Sequence, residues 1–380
     1  MKKLNQSGIA HWMVPALVVL MIAAVGTRVI TNSHADSVNS SAAISGIAKT
    51  KQDLTLAGTL SVPGSQINDF AVNSKLHVAY STDSYKISVW SVSTPSSPKL
   101  ITTVPSSATK IVVSPDGNYL YSINGNELAI YQTSTSSTAP LTLLSSAPIK
   151  GSQPDFLRVD GNYAYVVDWA SVTSKPKVEI YNVSNKQAPL VAASLGVNSD
   201  QLKSPTAIAI KGNYAYVTSD ANGTLNIFNI AKKTNPAYVS NVKLTTGLYN
   251  NYSGLIAFKG DYAYVSGINA NVINVINITN PSAPTMVDTV TPPSQNTAYG
   301  DDPYGLVVTG DKLIFDTING GNMLALSYNV SNPASPVYDQ TVSLNGNDPI
   351  ALATASGYLY VATNVTNGPS SGTVYIYRIN

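Results

Sequence analysis

From residue 54 onward, apolar and polar positions alternate with a period of two, in short runs broken by turns marked with Gly or Pro. No stretch of this region carries a 3.6-residue period. Residues 206–244 show the pattern most plainly. A strand over 206–210 leads into a Lys211-Gly212-Asn213 turn and a second strand over 214–218. After a polar break come a third strand over 224–230, a turn through 232–235 and a fourth strand over 237–244. Glycine suits the first turn because a tight hairpin needs a positive φ. The third strand is apolar on both faces, with Leu225 and Ile227 on one and Phe228 and Ile230 on the other. A sheet with two apolar faces must be covered on both.

The same unit recurs. KGNYAYV from Lys211 is matched by KGDYAYV from Lys259, DGNYAYV from Asp160 and DGNYLYS from Asp116. TGDKLIF from Thr309, SGYLYVA from Ser356 and NSKLHVA from Asn73 are weaker copies. The glycines at 117, 161, 212, 260, 310 and 357 fall 44 to 51 residues apart. A second phrase alternates with the first: a strand, a polar turn and a proline, as in KVEIYNVSNKQAPL from Lys177 and VINVINITNPSAPTMV from Val272. Ser93, Ser134, Ser184, Thr279 and Ser331 recur in that turn, where a hydroxyl can bond the local backbone. The proline leads into an outer strand, where no ladder N–H is missed.

One phrase of each kind per unit makes seven units. Four-stranded units of this length with two apolar faces stack radially. The fold class is therefore all-β: a seven-bladed β-propeller of four-stranded antiparallel blades. The seventh unit ends at Asn380 after three strands, whereas residues 54–62 (LTLAGTLSV) precede the first full unit and read like a fourth strand. The N-terminal strand is expected to complete the last blade and close the ring, which removes exposed strand edges.

Ahead of the repeats, Lys2 and Lys3 precede residues 9–26, a run without charge that only His11 and Pro15 interrupt. Positive residues before an apolar core read as an export signal. Ser33-His34-Ala35 is a small-x-small cleavage site, yet the run also approaches the length of a membrane span. Residues 1–35 thus read as a signal peptide or a signal-anchor transmembrane helix, and the Ser/Ala-rich residues 36–53 as a flexible linker. The propeller, 54–380, is expected outside the cytoplasmic membrane, anchored by that helix or secreted after cleavage near Ala35. Membrane contact is expected through the N-terminal segment only.

Composition narrows the function classes. Only 11% of the 380 residues are charged and the formal net charge is +2, so there is no field to hold a polyanion and nucleic acid is discounted. With no cysteine there is no disulfide, thiolate metal site or thiol nucleophile.

YAYV, VEIYNVSN, INVINITNPSAP and the proline-led outer strand resemble the LVIVD-repeat β-propellers, a family of exported bacterial and archaeal proteins, over about residues 54–380. YAYVTSDANGTLNIFNI is also similar to the YVTN repeats of surface-layer propellers. The resemblance implies the fold and export. It assigns no activity, because the repeated residues are those that build blades. Units one (KLHVAYS) and six (KLIFDTI) depart from the tyrosine pair.

In a propeller, the loops between strands two and three and the connections between blades share one face. Here the Gly and Pro turns are nearly constant in length, while the other set varies. Residues 170–175 and 365–372 lengthen two of the loops, and 292–302 (PPSQNTAYGDD) makes the longest connection. Loops on a rigid scaffold carry recognition, so this face is the candidate surface. Asp69, Lys110, Asp155, Thr206, Asp302, Tyr304 and Asp348 are expected to begin first strands around its channel mouth, and Trp169, in a long loop, reads as a contact anchor or as a half-buried loop residue.

Asp301, Asp302 and Asp348 could offer hard oxygen ligands to calcium, but no Asp-x-Asp-x-Asp loop backs them, and no cofactor is expected. The enzymatic case is thin. His77 is the one histidine beyond the leader, it falls within an alternating strand, and no GxSxG accompanies it. The two glutamates, Glu127 and Glu179, both stand at third-strand starts, so a carboxylate pair would need aspartates from different blades. The expected function is non-enzymatic binding of a protein or a cell-surface glycan or polymer by a monomeric ring. A divergent hydrolase or lyase using the channel-mouth aspartates is one alternative, and a structural surface-layer component is another.

Overall fold

The computed structural model describes residues 54–380 except 64, 136–139, 152, 170–176, 197–201, 246–253, 268–271, 294–302, 320–321, 345–347 and 366–370. Residues 1–53, expected as leader and linker, lie outside the described residues. The chain divides into two units, Met1–Thr50 and Lys51–Asn380, and the second is the subject here. Among the described residues no helix is long and apolar enough to cross a membrane.

The strands form seven antiparallel sheets of four. Blade one is Asp69–Asn73, Val78–Thr82, Lys86–Ser91 and Lys99–Pro105. Blade four is Pro205–Lys211, Tyr214–Ser219, Thr224–Asn229 and Ala237–Lys243, within a residue of the bounds read from the alternation. Blade seven takes Asp348–Ala355, Tyr358–Asn364 and Ser371–Ile379 from the C-terminal end, and its fourth strand is Leu54–Pro63. Leu54 stands opposite Ile379 and Ser61 opposite Thr373.

The blades stack because their two faces are apolar, and seven clusters each join neighbouring sheets. Phe228 and Ile230 pack against Tyr165 and Val178 of blade three, while Leu225 and Ile227 pack against Ala263 and Ile276 of blade five. Leu60 of the leading strand joins Phe70 and Trp90 of blade one and Tyr360 and Ile376 of blade seven. Each fully buried side chain of this kind contributes about 1.5–3 kcal/mol.

The second tyrosine of the repeated phrase is the buried one. Tyr121, Tyr165, Tyr216, Tyr264 and Tyr360 are all at most 2% exposed. Blade one departs from the phrase in sequence but not in space. Tyr80 stands opposite Ala71 as Tyr165 stands opposite Arg158, two pairs beyond the turn in each case. In blade six Ile314 takes the place.

Two local readings need correction. His77 does not lie in a strand. The first hairpin of blade one is longer than those of blades three to seven, with Asn73 paired to Val78, so His77 closes the turn with φ 52°. In the proline turns, the acceptor in four cases is an asparagine rather than a hydroxyl. Asn182, Asn229, Asn277 and Asn329 each accept the N–H two residues on, at 2.8–2.9 Å. These are Asx turns, in which the short amide reaches its own backbone.

Candidate functional site

The loop-bearing face is framed where second strands end and first strands begin. Buried polar side chains close that rim. Thr218 Oγ1 accepts the Ala207 N–H at 3.0 Å and donates to Gly254 O at 2.8 Å. Ser266 Oγ accepts Leu255 N–H at 2.9 Å, and Asp168 Oδ1 accepts Gln153 N–H at 2.9 Å. Asn364 accepts Ile67 N–H at 2.7 Å and donates to Ile67 O at 2.9 Å, which ties blade seven to the segment entering blade one. A buried polar group needs such a partner, so each of these bonds holds the entry to a first strand in place.

Four of the candidate residues come together on this frame. Asp69 begins blade one. Its Oδ1 accepts Phe70 N–H and its Oδ2 accepts Ile111 N–H of blade two, both at 2.8 Å. Burial pushes its carboxyl above the usual range, and Lys110 and these two N–H groups oppose that rise. Lys110 Nζ lies 3.7 Å from Asp155 Oδ1, linking blade two to blade three. Asp155 in turn lines an open cavity of about 250 Å³ with Gln153, Pro154 and Trp169. The Asp155 side chain is 64% exposed and that of Lys110 34%, so both reach solvent, whereas Asp69 is spent on backbone.

The other candidates are placed apart from this group. Thr206 shares its hydroxyl with Thr218 at 2.9 Å and belongs to the rim. The Tyr304 N–H is held by Asp316 while its residue is 52% exposed. Asp348 begins blade seven opposite Asn364. Asp301 and Asp302 lie outside the described residues, as do the 170–175 loop and most of 292–302 and 365–372. Among the described residues, no group of three or more His, Asp or Glu side chains could hold a metal ion.

Besides Asp83, which is 4% exposed, three more deeply buried acids stand on this face. Asp168, Glu179 and Asp316 are at most 1% exposed. Glu179 Oε2 accepts the Tyr181 hydroxyl at 2.6 Å and Lys150 N–H at 3.1 Å, with Lys177 Nζ 3.0 Å from Oε1. Asp316 Oδ1 accepts the N–H groups of Gly305 and Tyr304, yet burial still pushes its carboxyl up to about 7. The available signal was a carboxylate ending an apolar run, as in YVVD and LIFD.

Comparison with known proteins agrees with this architecture. The LVIVD repeat model matches residues 155–173, 205–244 and 252–291, in blades three to five, where the tyrosine phrase is most regular. No curated protein sequence matches the chain. Among solved structures it is similar to the periplasmic gluconolactonase PpgL of Pseudomonas aeruginosa, at 13% identity and a TM-score of 0.63, covering 84% of this chain and 95% of that one. It is also similar to Sqt1 of Saccharomyces cerevisiae, at 9% identity and a TM-score of 0.58 over 86% of this chain and 100% of that one. The Cps50 (Swd1) β-propeller domain of Myceliophteria thermophila gives 11% identity and 0.61 over 86% and 100%. At such identities the likeness is one of fold alone. The chain is thus a seven-bladed β-propeller that carries LVIVD repeats.

Proposed function

We propose that this propeller is a binding module outside the cytoplasmic membrane, taking a protein or a cell-surface polymer on the face where the variable loops emerge. The observation that carries this reading is the cavity at blade three, where Trp169 and Asp155 meet beside Lys110. An indole offers a large contact area at low entropic cost, and the adjoining ion pair presents both a donor and an acceptor to a polar partner. The packed blades keep these groups preorganised, which lowers the cost of binding. The location rests on Lys2, Lys3 and the apolar run that follows them. The pairing of Leu54–Pro63 with the last strand supports a ring fastened by its own two ends.

The hydrolase reading has less behind it, although the gluconolactonase shares the fold. Asp69 is engaged by two backbone N–H groups, and Asp168 and Asp316 are sealed within the rim. These three serve the frame.

The test is recovery of partners from cell-surface material by the full chain and by Trp169→Ala and Lys110→Ala variants. The expected result is loss of recovery at unchanged thermal stability. Equal recovery by wild type and both variants overturns the assignment of the face.

A further inference from the structure

A second cavity, of about 220 Å³, lies on the opposite face, at the junction of blades seven and one. Two other junctions, from blade four to five and from five to six, show a lysine in the equivalent place. Lys211 ends the first strand of blade four and crosses to blade five. There it donates to Gly260 O, stands 3.4 Å from Asp261 and lies 6.0 Å from the centre of the Phe258 ring. Lys259 repeats the crossing one blade on, to Gly310 O at 2.6 Å and to the Asp311 carboxylate.

The register puts Ala355 in the same position. It stands opposite Tyr358, as Lys211 stands opposite Tyr214 and Lys259 opposite Tyr262. A methyl group thus replaces four methylenes and an ammonium, and the slot is a cavity. Val72, which corresponds to Phe258, forms part of its wall, together with Tyr358.

The far end of the slot has also changed character. Where Asp261 and Asp311 meet the lysines, the hairpin of blade one brings Ser74 and His77 to the cavity, and among the described residues no carboxylate lines it. His77 and Ser356 both line it, and they are two of the three non-glycine residues with left-handed backbone among the described residues, at φ 52° and 51°. Backbone strain of this kind persists where surrounding structure holds it, and it concentrates at ligand sites.

We propose that this cavity binds a small organic carboxylate. Its apolar body lies along Val72, Ala355 and the Tyr358 ring, where a lysine stem runs from blades four and five. Its carboxylate accepts hydrogen bonds from the His77 imidazole and the Ser74 hydroxyl. The site is separate from the Trp169 cavity and does not depend on it.

The test uses the full 380-residue chain with benzoate and the smaller butylammonium as probes of opposite charge, followed by saturation-transfer NMR at pH 6. Benzoate is expected to bind and butylammonium not. Ala355→Lys refills the slot with the residue that blades four and five carry and abolishes the benzoate signal. His77→Gly relieves the left-handed backbone, so the thermal midpoint holds or rises while benzoate affinity falls about tenfold or more, the loss of one charge-assisted hydrogen bond. Trp169→Ala leaves benzoate binding intact. If Ala355→Lys fails to fold, His77→Gly decides. The proposal is overturned by a wild type that gives no benzoate signal, by preference for butylammonium, or by unchanged affinity in His77→Gly.

Discussion

The carboxyl of Asp316 accepts the backbone N–H of Gly305 at 2.7 Å. It also accepts that of Tyr304 at 2.8 Å, while Oδ2 meets no donor among the described residues. Two residues of blade six's entry thus hang on one buried acid that burial pushes up to about 7 from 3.8. A carboxyl whose folded value lies above its unfolded one contributes stability that is complete below the unfolded value and lost as pH rises through the folded one. Stability should therefore fall between about pH 4 and pH 7 on account of this group. Asp316→Asn keeps the acceptor and removes the charge. It should stabilise the fold by about 2–4 kcal/mol at pH 8 and leave it unchanged near pH 4, as read by denaturant unfolding at both values.

Gly254 lies against the hydroxyls of Thr206 and Thr218. A Cβ there would stand 2.5 Å from both Oγ1 atoms and 2.7 Å from Thr218 Cβ. Gly254→Ala should cost about 1–3 kcal/mol through overpacking. Gly212, with φ 58° and nothing within 4 Å of an added Cβ, should lose only about 1 kcal/mol on the same change, for backbone reasons alone. Thermal unfolding of the two variants separates the mechanisms.

Two tyrosines in equivalent positions should respond differently to loss of the hydroxyl. Tyr264 donates to Pro333 O at 2.9 Å, whereas the Tyr165 hydroxyl is buried without a partner among the described residues. Tyr264→Phe should cost about 1 kcal/mol, and Tyr165→Phe should be neutral or stabilising. A cost at Tyr165 as large as that at Tyr264 would mean its hydroxyl has a partner after all.

Leu60 is 2% exposed and packs between the last blade and the first. Leu60→Ala should cost about 2–5 kcal/mol. Deleting residues 54–63 should lower the midpoint further and promote aggregation, since it bares the edge of Ser371–Ile379. Light scattering and calorimetry check both. A deletion that unfolds like the intact chain would show that the ring does not need this fastening.

Much of the fold was legible one strand at a time. The division of Leu225 and Ile227 from Phe228 and Ile230 follows from the period of two. The structure sends the first pair to blade five and the second to blade three. The turn glycines announced themselves by recurring in one phrase, and Gly212 and Gly260 carry the positive φ that such a turn needs. The site was less legible. Asp69, Lys110, Asp155 and Thr206 were selected for where they stand in the repeat, yet Asp69 and Thr206 proved to be bound into the frame, while Asp155 and Trp169 share a cavity. The cavity beside His77 could not be read at all without knowing which residue of each blade crosses to the next.

Alone, the sequence determined the strands, their number, the turns between them and which side chains face inward, because pleat alternation and turn conformation depend only on near neighbours along the chain. Tertiary structure decided which polar groups meet. Asn364 and Ile67 are 297 residues apart and bond twice, and Lys211 reaches a carbonyl 49 residues away. Such partners are set by the radial stacking of blades, which brings distant positions into register, and nothing in the local pattern encodes the distance between them.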